Sequence, residues 1–121
     1  MKIYVSHPTG VDYKTELYVP LRASELSNNH QLILPHEQTP ESLDSKEQIK
    51  DCHLVLAEVS SPSTGQGIEL GWANAYDVPI VCFHKADKAP SDSLSIISDT
   101  FIVYKNTEEM IRKISAYLDT L

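Results

Sequence analysis

Residues 54–76, LVLAEVSSPSTGQGIELGWANAY, constrain the fold more than any other stretch of the chain. Leu54–Ala57 is a short apolar run of the kind shown by a parallel strand covered on both faces. Ser60, Ser61, Pro62, Ser63, Thr64, Gly65 and Gly67 break that run with turn chemistry and small hydroxyls. Ile68, Trp72, Ala75 and Tyr76 then recur at helical spacing, which predicts a helix starting near Gln66 and packing back on the strand. Glu69 would fall in the first turn of that helix, beside free backbone N–H groups, at the strand end where α/β sheets keep their ligands.

The rest of the chain repeats the strand–helix alternation. Lys2–Ser6 reads as a first strand and Tyr13–Ser27 as a helix with Leu17 and Leu21 inward, kinked or started late by Pro20. Gln31–Leu34 reads as a second strand and Glu41–Lys50 as a polar helix with Leu43 and Ile49 inward. Pro79–Phe83 is the fourth strand, followed by a polar loop over Lys85–Ser95. Thr100–Tyr104 is the fifth strand, and Thr107 caps a last helix with Met110, Ile111, Ile114, Tyr117 and Leu118 inside. The fold class that follows is α/β: one doubly wound, flavodoxin-like five-stranded parallel sheet, order 2-1-3-4-5, with helices on both faces. The loops after strands 1 and 3 would then face each other across the switch point.

At 121 residues the chain is expected to form a single domain. Ten basic against 17 acidic residues give a net charge of −7 with no basic run, which argues against a nucleic-acid polymer as partner. A small nucleotide is still allowed, because backbone amides can hold one phosphate. No apolar run is long enough for a signal peptide or a membrane span, so a cytoplasmic protein that does not engage a membrane is expected. Cys52 and Cys82 read as buried free thiols, and His7, His30, His36, His53 and His84 show no metal-binding spacing.

Glu69 has two readings. An acid at a helix start is stabilised by the dipole by about 0.3–1 kcal/mol, which accounts for many such glutamates. A carboxylate held ionised there could also act as a nucleophile toward a sugar, displacing a base and forming a glycosyl ester. Ser63, Gly65 and Gly67 belong to a hydroxyl- and glycine-rich turn suited to an anion, but without the lysine of a P-loop. Tyr4 lies in strand 1 beside the expected crevice, where it is either a core aromatic or a residue that orients a carboxylate. Ser6 and His7 stand where strand 1 ends. That place lacks the acidic pair of a phosphoacceptor receiver domain, and the hydroxyl-rich loop follows strand 3 rather than strand 1 as a flavodoxin would require.

Ala57-Glu58-Val59, Pro62-Ser63 and Gly65-x-Gly67-x-Glu69-Leu70-Gly71 together resemble the signature of the nucleoside 2-deoxyribosyltransferase family, nearest its 2′-deoxynucleoside 5′-phosphate N-hydrolase branch. The resemblance implies that Glu69 attacks the anomeric carbon, that Tyr4 positions its carboxylate, and that Ser63 binds a 5′-phosphate. It further implies that Ser95 is lent to the phosphate site of a second subunit, so that a homodimer is expected. The substrate would be a small deoxynucleoside or deoxynucleotide, and no metal or organic cofactor is implied. The chain departs from the family pattern in three places. Ser45 stands where the family has an aspartate near the leaving base, with Asp44 one residue earlier, about 100° away on a helix. His7 replaces a glycine, and no arginine follows it for the phosphate; a histidine there could supply either the missing acid or the missing cation. These departures leave open a nucleotide-binding module of the same fold without chemistry. A relative of the TIR-like domains that cleave NAD is a further alternative.

Overall fold

The computed structural model describes residues 1–38 and 45–121. Asp44, Leu43 and the first part of the expected Glu41–Lys50 helix lie outside the described residues. Five strands form one parallel sheet in the order β2-β1-β3-β4-β5: β1 (Lys2–Ser6), β2 (Gln31–Ile33), β3 (Leu54–Glu58), β4 (Ile80–Lys85) and β5 (Thr100–Tyr104). β3 is buried along its whole length, as its apolar run predicts for a strand covered on both faces. The alternation of side chains divides the core in two. Ile3, Val5, Leu56, Val81 and Phe83 face α1 (Val19–Ala23), α2 (Leu26–Asn29) and α5 (Thr107–Leu118). Tyr4, Val55, Ala57, Ile80 and Cys82 face α3 (Ser45–Lys50) and α4 (Thr64–Ala75).

Several boundaries differ from expectation for identifiable reasons. The predicted Tyr13–Ser27 helix is three pieces: a π-helical turn over Lys14–Tyr18, then α1, then α2. Pro20 sits at the start of α1, where its missing N–H costs little, and Ser24 is extended between α1 and α2. α5 is capped by Asn106, whose side chain accepts from the Glu109 N–H at 2.8 Å, and not by Thr107, which is its first helical residue. β4 runs two residues past Phe83, and the Lys85–Ser95 segment leads into a 3₁₀ turn over Asp92–Ile96. α4 ends in a Schellman arrangement: Asp77 adopts φ 58°, and the Val78 N–H reaches the Ala73 carbonyl at 2.9 Å. Trp72 and Tyr76 are partly buried against the α3/α4-side core. Cys52 and Cys82 are free and buried. Among the described residues no helix is long and apolar enough to cross a membrane.

Candidate active site

Glu69 lies deeper in its helix than the spacing predicts. α4 begins at Thr64 with Ser63 as its cap, so Glu69 is in the second turn and gains little from free N–H groups. What meets its carboxylate instead is a set of hydroxyls. Tyr4 donates to Oε2, Ser6 donates to Oε1 at 3.0 Å, and Ser45 supplies a third side-chain hydrogen bond. Tyr4 and Ser6 are two apart in β1, so the strand period puts both on the α4 side. Both are fully buried, which fixes their positions. Burial raises the Glu69 carboxyl above its ordinary value, and the bonds from Tyr4, Ser6 and Ser45, with the nearby His36, act against that rise. A partly desolvated carboxylate aimed by three hydroxyls is chemically a pre-oriented oxygen nucleophile or base.

Ser45 therefore contributes directly to the Glu69 environment, from the position where the resemblance expects an aspartate. His7 is buried on the opposite side of β1, with both ring nitrogens engaged. The Pro8 carbonyl can only accept, so Nδ1 carries the proton and donates to it at 2.8 Å. Nε2 then accepts from the Tyr18 hydroxyl at 2.6 Å, and that hydroxyl accepts from the His36 N–H at 3.0 Å. The His7 ring stacks on Tyr13 at 4.4 Å between centroids. Burial lowers the His7 pKa and raises that of Tyr18, so the imidazole is held neutral. The expectation that His7 offers a proton or a cation to a ligand does not fit these contacts. The aromatic group it joins is not legible in the sequence, because it brings the turn carrying Tyr13 and Tyr18 together with the end of β1 and with His36 from beyond β2.

Ser63, Thr64, Gln66 and Gly67 line a cavity of about 410 Å³ that is closed on its other side by Ser91, Ser93 and Leu94. The Ser63 Oγ accepts from the Gln66 N–H at 3.4 Å. A Cβ built on Gly65 or Gly67 would meet nothing within 4 Å, so neither glycine is demanded by packing within the chain. Ser95 is exposed and donates to the Asp92 carbonyl at 2.9 Å; it does not line this cavity. On the opposite face of the sheet lies a second hydroxyl-bound carboxylate, Glu58, for which the sequence carries no local signal. Glu58 Oε2 accepts from Tyr104 and from Ser60 Oγ at 2.9 Å, and its Oε1 accepts from the Ser60 N–H at 2.6 Å. Among the described residues no group of three or more His, Cys, Asp or Glu is gathered to hold a metal.

Sheet order, helix placement and a partly buried carboxylate at the switch point define a doubly wound α/β domain with its candidate site at the carboxyl ends of β1 and β3. The same fold occurs in the CMP N-glycosidase BcmB of Clostridium botulinum, which is 21% identical and superposes with a TM-score of 0.69 over 95% of this chain and 99% of that one. It occurs also in a 2-deoxyribosyltransferase from the psychrotolerant bacterium Bacillus psychrosaccharolyticus, 16% identical, TM-score 0.68, over 91% of this chain and 90% of that one. No protein-family model matches the chain, and no curated protein matches it.

Proposed function

We propose that the protein is an enzyme that breaks the N-glycosidic bond of a 2′-deoxynucleoside or its 5′-monophosphate, with Glu69 as nucleophile. The observation that carries this reading is the Glu69 carboxylate, buried in part and aimed by Tyr4, Ser6 and Ser45. One Glu69 oxygen would attack the anomeric carbon as the carbon–nitrogen bond breaks, and the bonding pair would leave with the base, which takes a proton. Water would then attack the same carbon, releasing the sugar and the free carboxylate and giving up a proton. A second base in place of water would make the reaction a transfer. Tyr4 and Ser6 are the positioning residues of this scheme. They hold one lone-pair direction on each oxygen and leave others for attack.

The 5′-phosphate reading rests on Ser63, Gly65 and Gly67, which open α4 beside the cavity lined by Ser63 and Gly67. Helix N-termini suit anions, and the absence of a Cβ there lets a ligand approach the backbone. We also propose a homodimer. Ile68 on α4 and Ile96 in the 3₁₀ turn are 51% and 82% exposed, on elements packed against the α3/α4-side core, and Ser95 lies next to Ile96. A sedimenting monomer would remove the shared-serine idea.

Chromatographic detection of free base tests the reaction. The panel is deoxynucleosides, their 5′-monophosphates, CMP and NAD, with Glu69→Gln run beside the wild type. CMP belongs there because the C. botulinum protein of this fold is a CMP N-glycosidase. Release by the wild type and not by the variant supports the proposal. No release from any member, with melting shifts on ligand addition, points to a binding module instead. NAD as the preferred substrate would point to the TIR-like alternative.

A further inference from the structure

The rotational setting of α4 decides whether Glu69 reaches its hydroxyls, since a displacement of one residue turns a side chain by about 100°. The helix has few large side chains with which to set that angle. Its sequence is TGQGIELGWANA, and among its apolar residues only Leu70 and Ala73 are fully buried. Apolar contact is also non-directional. A hydrogen bond is directional, and besides the Glu69 bonds to Tyr4 and Ser6, α4 is tied to the sheet by a buried side-chain bond one turn earlier, from Gln66. Gln66 is 5% exposed, and its side-chain N–H donates to the Glu58 carbonyl at 2.7 Å. Gln66 and Glu69 are three apart and so share a helix face.

The carbonyl that Gln66 grips is itself anchored. Glu58 is the last residue of β3, and its carboxylate is tied to Tyr104 of β5 and to Ser60. Ser60 Oγ accepts in turn from the Lys85 N–H at the end of β4, at 2.9 Å. The loop leading to α4 is thus tied to the ends of β4 and β5 on one face of the sheet and to the helix on the other. We infer that Gln66 is a positioning residue for Glu69: its amide bond to the Glu58 carbonyl sets the rotation of α4, and the Glu58–Ser60–Tyr104 cluster holds that carbonyl in place. The geometric part is independent of the proposed reaction; only its kinetic consequence rests on that reading.

Gln66→Met keeps the length of the side chain and removes the donor. Glutamate carrying ¹³C at its carboxyl, with the Glu69 signal assigned from Glu69→Gln, reports the carboxylate directly. In Gln66→Met the Glu69 signal is expected to shift and its titration midpoint to rise, because hydroxyls favouring the charged form are lost. Base release should lose about 10–10²-fold in kcat with KM little changed, as for a nucleophile displaced by about 1 Å. A Glu69 signal and midpoint identical to wild type in folded Gln66→Met would overturn the inference. If that variant does not fold, Ser60→Ala carries the test: a smaller shift in the same direction supports the inference, and none overturns it. A shifted signal in a protein whose wild type releases no base would sink the proposed reaction and leave the positioning role standing.

Discussion

Tyr4 of β1 donates its hydroxyl hydrogen bond to Glu69 of α4, 65 positions along the chain. Tyr4→Phe keeps the fully buried ring and removes only that donor. Base release is expected to fall by about 10²-fold in kcat, on the scale of one lost preorganised donor. The Glu69 carboxyl should also titrate higher, because Tyr4 favours its charged form. The acidic limb of the kcat/KM profile would therefore move to higher pH. An unmoved limb, with activity reduced, would mean that Tyr4 only packs.

The pKa of Glu69 is raised in the folded chain above its ordinary 4.5. Between those two values the native state binds more protons than the unfolded state, so stability falls as pH rises through the window. Glu69→Gln carries no such charge. Its melting temperature relative to wild type should be higher at pH 7 than at pH 4. Differential scanning calorimetry of both proteins at the two values reads this, and a difference independent of pH would contradict it.

His7 should stay neutral with its proton on Nδ1 through neutral pH and into the acid range. Its folded pKa is depressed by burial below 6.5, so its contribution to stability is complete above 6.5 and is lost as pH falls through the folded value. Long-range ¹H–¹⁵N correlation spectra distinguish the tautomers. An Nε2–H signal, or titration above 6.5, would mean that the Tyr18 bond runs the other way.

Asn106, not Thr107, supplies the cap of α5. Asn106→Ala should cost about 1 kcal/mol in urea unfolding, whereas Thr107→Ala should stay within about 0.5 kcal/mol. Equal losses would show that both side chains cap.

Tyr18 joins His7 to the His36 N–H. Tyr18→Phe strands a buried ring nitrogen and a partly buried backbone donor, and should destabilise the fold by about 1–3 kcal/mol. The same unfolding measurement checks it.

Strands were legible because continuous apolar runs such as Ile80–Phe83 and Leu54–Ala57 leave little else for the chain to form. Sheet order followed from alternation and connection rules, which do not depend on detail. α4 starts at Thr64 and not near Gln66, and the sequence does carry the signal for it: Ser63 followed by Gln66 is the S-x-x-Q spacing of a capping box. Only half of that motif forms, because the Gln66 side chain turns to Glu58. Glu69, Tyr4 and Ser63 could be nominated from position along the chain. The Ser45 bond to Glu69 and the Glu58–Tyr104 pair could not, since each joins elements whose relative rotation no linear pattern records. The break after Ala23 likewise has no proline or glycine to announce it.

β1 places Tyr4 and Ser6 on the side of Glu69, and Ile3, Val5 and the Tyr18-bonded His7 on the other. The parity of one short strand therefore sorts two chemistries. Deleting a single residue ahead of Tyr4, with the pairing to β3 kept, would present the hydroxyl cage to α1 and put Val5 and His7 against Glu69. This buried strand should accept almost no change in length, while the exposed residues 9–12 of the loop that follows it should accept one readily.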